Sequence, residues 1–174
     1  MSIADALKAT AAVFFVAVVE LALLSYVEIA DAHPELTLVF VVALALLRGP
    51  ALGAASGFLA GLVIDTASLE TLGLSSLLFT LAGYWCGRLG ESTTRSSANP
   101  VLVAVALTTA GFGIGSALLH FMLGETMPVA DFVVGLLLPS LALNLLLAYP
   151  AYRLARRFFP PPATQRRPEV TILV

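Results

Sequence analysis

The sequence contains few charged residues and a single cysteine. Charged residues make up 11% of its 174 residues, whereas hydrophobic residues make up 59% and the mean hydropathy is +0.98. This composition excludes a water-soluble globular protein, because too little polar surface is available to cover so large an apolar core. Cys86 cannot form an intramolecular disulfide and has no metal-ligand partner at useful spacing, so we expect it to be a packing residue.

Sequence signatures of catalysis are also missing. Residues 113–117 read Gly-Ile-Gly-Ser-Ala and lack the final glycine of a nucleophile elbow. The chain contains neither a His-Glu-x-x-His zinc motif nor a phosphate-binding loop, and no carboxylate pair on one helix face is placed to hold Mg²⁺. His120 has no second histidine or cysteine at ligand spacing. We therefore expect no enzymatic activity, no cofactor, no bound metal and no nucleic-acid partner.

Long apolar stretches dominate the sequence. Hydrophobicity and length predict six membrane spans, at residues 9–27, 36–47, 50–66, 72–87, 101–123 and 132–152. The second stretch is shorter than the roughly 20 residues of a straight transmembrane helix, and residues 30–35 or local thinning of the bilayer would complete it. The sequence thus predicts an all-α polytopic membrane protein, with a compact bundle at residues 1–159 and a proline-rich cytoplasmic tail at 160–174.

In this topology, one side of the membrane has no lysine or arginine. All nine lie on the other side, at Lys8, Arg48, Arg88, Arg95, Arg153, Arg156, Arg157, Arg166 and Arg167. The positive-inside rule makes that side cytoplasmic, and both termini with it. A re-entrant second segment would move Arg88 and Arg95 outside, so we count that segment as a span. Arg153, Arg156 and Arg157 directly follow the last span, where we expect them to bind anionic lipid headgroups.

Glycines recur at intervals of four residues in three of the spans. The longest series is Gly49, Gly53, Gly57 and Gly61, and the spacing returns in Gly83 and Gly87 and in Gly111 and Gly115. At 3.6 residues per turn such residues share one helix face, which lets a neighbouring backbone approach closely. The neighbour is either another helix of this chain, which we favour, or a partner protein. In the last span, Pro139 predicts a kink.

Polar residues within or beside the spans are the candidates for chemistry; they are Glu20, Asp65, His120 and Asn144. Glu20 lies about 18 Å along the helix from Lys8, a depth at which a carboxyl is usually paired, protonated or functional. It either couples protons or binds a ligand, or it is a neutral acid that locks helices through Asn144, His120 or the Thr108–Thr109 pair. Asp65 either caps the following helix or lines an external cavity.

The segment from residue 46 to residue 90 carries a specific resemblance. It reads Leu-Leu-Arg-Gly-Pro, then the glycine series, Asp65, Leu-Gly-Leu-Ser at 72–75 and Gly-Tyr-Trp-Cys-Gly-Arg at 83–88. With these motifs, its length and its six predicted spans, the chain resembles the bacterial rod shape-determining protein family MreD. The resemblance extends to the whole chain in topology.

Resemblance to MreD implies a non-enzymatic scaffold of the cell-elongation machinery in the bacterial inner membrane. It implies binding to the membrane-anchored MreC and, through it, association with MreB filaments, the glycosyltransferase RodA and its class B penicillin-binding transpeptidase. The implied role is in lateral peptidoglycan synthesis and rod shape. The family is also similar in fold to the vitamin-binding subunits of energy-coupling-factor transporters. The alternative is therefore a small-molecule binding subunit, which needs a preformed pocket with a few polar groups.

Overall fold

The computed structural model describes residues 3–23, 35–68, 72–92, 99–124 and 132–160, and their regular structure is helical throughout. The helices are α1 (Ile3–Leu23), α2 (Leu36–Arg48), α3 (Pro50–Ser68), α4 (Leu74–Ser92), α5 (Asn99–Met122) and α6 (Leu138–Phe158). A π-helical segment, Phe132–Leu137, leads directly into α6. The predicted all-α bundle is confirmed. The predicted end of the first span at 24–27 and the tail beyond residue 160 lie outside the described residues.

Three stretches of the described helices are long and apolar enough to cross a membrane, namely Pro50–Ser68, Val101–Leu119 and Phe132–Phe158. Leu36–Arg48 is a shorter apolar helix of 13 residues. An α-helix rises about 1.5 Å per residue, so its length is short of the roughly 30 Å hydrocarbon core. The protein is a polytopic helical membrane bundle in which one apolar helix is shorter than the membrane is thick.

The short helix α2 lies at the centre of the bundle. Every residue from Thr37 to Leu47 is buried, with exposed fractions of 0 to 6%. Helices α1, α3, α4, α5 and α6 all contact it. A helix that is apolar on all sides is stable where other helices cover its whole surface. The uninterrupted apolar sequence of α2 is therefore explained by enclosure within the protein.

A single residue, Gly49, separates α2 from α3. Its φ of +94° lies in the left-handed region, which glycine adopts without steric cost. Pro50 then begins α3, a position at which the missing N–H of proline is not needed. The prediction that placed Gly49 on the helical glycine face is therefore wrong, because this residue lies outside both helices, in the turn between α2 and α3.

The other glycines of α3 and α4 form the closest contact between two helices. A Cβ atom at Gly57 would overlap the carbonyl oxygen of Phe79, and one at Gly53 would overlap that of Gly83. The same holds at Gly61 and Gly87, where the atoms met belong to the Ser76 and Pro50 backbones. Since backbone atoms cannot move aside as flexible side chains do, these positions require glycine.

Glycine spacing on α5 has a different consequence. Among the described residues, nothing lies within 4 Å of the position that a Cβ would take at Gly111, and Gly115 faces only the side chain of Leu78. The close crossing predicted at Gly111 is therefore wrong for the described part of the chain. Equal spacing in the sequence produces backbone contact in α3, whereas in α5 Gly111 is open and Gly115 meets only a side chain.

The start of α6 shows how the chain accommodates Pro139. The π-helical segment changes to the α-helix immediately before this proline, and the predicted kink stays a prediction. Proline lacks the N–H that would bond the carbonyl four residues earlier, and a wider turn is a known accommodation of such a break. A second proline, Pro150, lies inside α6 at an exposed position that the sequence analysis did not single out.

We expect opposite responses to adding a methyl group at two helical glycines. Gly57→Ala should lower the free energy of unfolding by about 1 to 3 kcal/mol, since the methyl group would meet the α4 backbone. Gly111→Ala should leave stability unchanged or raise it by up to about 1 kcal/mol, because alanine favours the helix and the site is open. Thermal unfolding of the purified protein in mild detergent measures both changes. Equal melting temperatures for the two variants would contradict this account of the α3–α4 contact.

Candidate functional site

Two groups of polar residues lie at the N-termini of α2 and α4. The first, which we call the α2 cap, consists of Glu20, Glu35, Thr37, Thr109 and Asn144. The second, the α4 cap, consists of Asp65 with Gly73, Ser75 and Ser76. The first N–H groups of an α-helix have no partner within the helix. In a dry interior these N–H groups must bond to side chains from elsewhere.

In the α2 cap, neighbouring helices supply the missing acceptors. The backbone N–H of Thr37 donates to Oε2 of Glu20 at 2.5 Å. The backbone N–H of Glu35 donates to Oδ1 of Asn144 at 2.9 Å. Glu20 comes from α1 and Asn144 from α6, so two helices on the periphery are joined to the first turn of the central one.

The side-chain amide of Asn144 extends this network. Its Nδ2 group donates to Oε2 of Glu35 at 3.2 Å and to Oγ1 of Thr109 at 3.1 Å. Asn144 is completely buried and Thr109 nearly so. One amide therefore connects α6, α5 and the residue that precedes α2.

The predicted partners of Glu20 are distributed differently in the structure. Its bond comes from the Thr37 backbone, while Asn144 and Thr109 occupy the adjoining bonds around Glu35. Thr108 donates within its own helix, to the carbonyl of Ala104 at 2.6 Å. His120 belongs to α5, but its side chain lies outside the described part of the structure.

Glu35 is the residue of this site that sequence reasoning missed. The sequence analysis did not single it out, but it is the N-cap residue of α2. Its position directly before an apolar run was the available signal, because polar residues are common at that position. The electrostatics favour carboxyls here, since the positive end of the helix dipole lies at the N-terminus and offsets part of the cost of burying them.

In the α4 cap, Asp65 bonds to the beginning of the next helix. Its Oδ2 atom accepts from Gly73 N at 2.8 Å and from both N and Oγ of Ser76 at 3.3 Å. Its Oδ1 atom accepts from Ser75 N at 3.1 Å. With 1% of its surface exposed, Asp65 is enclosed by these bonds. The capping interpretation of Asp65 is confirmed.

The basic residues lie on one side of the predicted topology. Gly90 of α4 packs against the backbone of Leu46, and Gly87 against that of Pro50, so the end of α4 lies beside the turn between α2 and α3. Arg48 and Arg88 belong to these helix ends. The predicted topology places Lys8, Arg153, Arg156 and Arg157 at the same end, which we call the basic end.

The polar side chains of the two caps have mainly structural roles. Within the described ranges, no group of three or more His, Cys, Asp and Glu side chains is placed to hold a metal ion. The carboxyls of the two caps bond to backbone N–H groups at the starts of helices. Fold and site together define a polytopic membrane protein whose interior polar groups join its helices.

This chain belongs to the rod shape-determining protein MreD family, whose profile matches residues 6–159. It is similar to the cell shape-determining protein MreD of Streptococcus pneumoniae, with 34% identity over 90 residues, which are 51% of this chain and 54% of that protein. The matched region thus spans about half the length of this relative. No solved structure matches the chain significantly. The chain is therefore a membrane protein of a family named for determining rod shape.

If Glu20 acts as a helix cap, Glu20→Gln should be tolerated. The glutamine carbonyl can accept the bond from Thr37 N, so we expect a change of less than about 0.5 kcal/mol. Glu20→Leu would leave that N–H without this acceptor and should cost about 1 to 3 kcal/mol. Thermal unfolding in detergent compares the two variants. A Gln variant that folds normally yet fails to support rod shape would show that the acid itself is needed, against the cap account.

Asp65→Asn should destabilise the protein, unlike the change at Glu20. Both carboxylate oxygens of Asp65 accept bonds from N–H groups, so the asparagine NH₂ group would face another donor. We expect a loss of about 1 to 3 kcal/mol, or a melting temperature lower by about 2 to 12 °C. The neighbouring Thr66→Ala is the control, because Thr66 is exposed. Equal stability of Asp65→Asn and wild type would show that the α4 cap contributes little.

Proposed function

We propose that this protein is a non-enzymatic scaffold of the bacterial elongation machinery, which binds MreC and supports lateral peptidoglycan synthesis and rod shape. The observation that carries the proposal is the family match over residues 6–159, a range that ends at the close of the helical bundle. Association with MreB, RodA and the class B transpeptidase is then indirect, through MreC.

The distribution of polar and apolar groups supports a scaffold. Interior polar residues such as Asp65 and Asn144 have hydrogen-bond partners within the chain. The outer surface carries large exposed apolar side chains, including Phe15 of α1 and Leu107 and Ile114 of α5. Within a membrane such surfaces face lipid or another transmembrane segment, and packing of side chains drives the association of helices.

The glycine contact limits where a membrane partner binds. Helix α4 packs against Gly53, Gly57 and Gly61 of α3, and α3 packs against Gly83 of α4. A partner helix could reach these glycines only by separating two helices that are packed backbone to backbone. We therefore propose that MreC contacts other faces of the bundle.

The membrane placement that fits this function is the bacterial inner membrane, with the basic end of the bundle and both termini in the cytoplasm. The positive-inside rule supports this orientation. In this placement, residues 1–159 form the transmembrane unit, and the proline-rich residues 160–174 extend into the cytoplasm.

The vitamin-transporter alternative requires polar groups that are free to fix a ligand. Asp65 was one of the few candidates for that purpose, and its oxygens accept four hydrogen bonds within the chain. No observation on the described residues favours the alternative over the scaffold.

Expression in a rod-shaped bacterium that lacks its own MreD tests the proposal. We expect the chain to restore rod shape and to retain MreC in about equal amount through purification in mild detergent. Gly57→Leu should abolish both, because the side chain would collide with the α4 backbone, whereas Gly111→Ala, at an open site, should preserve both. Rod shape restored without retained MreC would refute MreC binding. A vitamin-sized compound retained in place of MreC would indicate a transporter subunit.

A further inference from the structure

The last turns of α6 carry a basic face. Arg153, Arg156 and Arg157 are three or four residues apart, so they lie on one side of the helix together with Tyr149. All four side chains are exposed, and the guanidinium of Arg153 lies over the Tyr149 ring, 5.6 Å from its centre. The basic face is therefore one continuous surface.

The opposite side of the same turns holds this face in place. Ala148, Ala151 and Ala155 are buried against the bundle, and so is Phe159 just after the helix. The N–H of Phe159 still donates to the carbonyl of Ala155, at 2.7 Å. Because the buried side is packed, the helix end cannot rotate to hide its arginines.

Within the described ranges, the arginines of the basic face have no acidic partner. Among the described residues, none of the three forms an ion pair, whereas Arg88 at the same end lies 3.7 Å from Glu91. Three uncompensated guanidinium groups favour an anionic ligand, and guanidinium groups bind phosphate oxygens with paired hydrogen bonds.

Two large apolar side chains lie beside the basic face. Leu154 and Phe158 are four residues apart, and they are 49% and 65% exposed. In water this exposure would be unfavourable, so this part of the helix end favours contact with hydrocarbon. A ligand that satisfies both surfaces has an anionic head and an apolar tail. A soluble phosphate or an acidic protein would cover the arginines and leave Leu154 and Phe158 in water.

We propose that the basic face of α6, formed by Arg153, Arg156 and Arg157 beside Leu154 and Phe158, is a binding site for an anionic phospholipid, which it holds by the headgroup phosphate and the adjoining acyl chain. This site anchors the end of the last helix to the membrane surface. It is independent of the scaffold function, since it requires no protein partner.

Native mass spectrometry of the detergent-purified protein, titrated with phosphatidylglycerol or phosphatidylcholine, tests the site. The wild type should prefer phosphatidylglycerol. Changing the three arginines to glutamine should weaken its binding roughly 100-fold, because each basic residue near a charged membrane surface contributes about a factor of five. The triple lysine variant should keep most of the preference, and Arg88→Gln should keep all of it. If the triple glutamine variant does not fold, Arg156→Gln and Arg157→Gln alone should each lose about fivefold.

Three results would overturn the proposal. The first is an unchanged preference for phosphatidylglycerol in a folded glutamine variant, triple or single. The second is displacement of the lipid by millimolar inorganic phosphate, which would identify a site for soluble anions. The third is unchanged affinity in the double variant Leu154→Ser and Phe158→Ser, which would show that the acyl chain makes no contact.

Discussion

The structure depends on one constraint, which is that backbone N–H groups at the start of an enclosed helix must find acceptors where no water is available. Helix α2 is buried along nearly its whole length, so its N-terminus lies in the protein interior. Glu20 and Asn144 supply acceptors from two different helices. Asp65 does the same for α4 from the end of α3. Each of these bonds satisfies a local requirement and at the same time joins one helix to another.

The packing of the helices is also governed by the membrane environment. Without a hydrophobic drive between helices in lipid, association depends on close packing and on interior polar bonds. The α3–α4 pair uses close packing, with glycine backbones in contact at Gly53 and Gly83. The helices around α2 use polar bonds through Asn144, which reaches both Thr109 and Glu35. The α3–α4 pair also uses polar bonds, which Asp65 accepts from Ser75 and Ser76.

Because the interior polar residues hold the helices together, contacts with a partner would involve other parts of the protein. Interior residues that first suggest chemistry, such as Glu20 and Asp65, hold the helices together. What remains for recognition is the outer surface, which is apolar across the membrane and basic at one end. In the proposed scaffold, recognition of partners would therefore depend on the shape and charge of this surface.

The sequence by itself determined the membrane class and the six helices, because hydropathy and chain length act locally. It left the role of Asp65 open between a helix cap and the lining of a cavity, and the hydrogen bonds of the fold decided for the cap. In the sequence α2 is a short apolar span, and its burial results from the five helices that contact it. The tertiary structure thus decided which helix is enclosed. It also decided between equal glycine spacings, as Gly57 meets a backbone and Gly111 meets open space. The partners of Glu20 and the inclusion of Glu35 in the α2 cap followed only from the fold, because hydrogen bonds between distant residues depend on how the helices are arranged in space and leave no periodic signal in the chain.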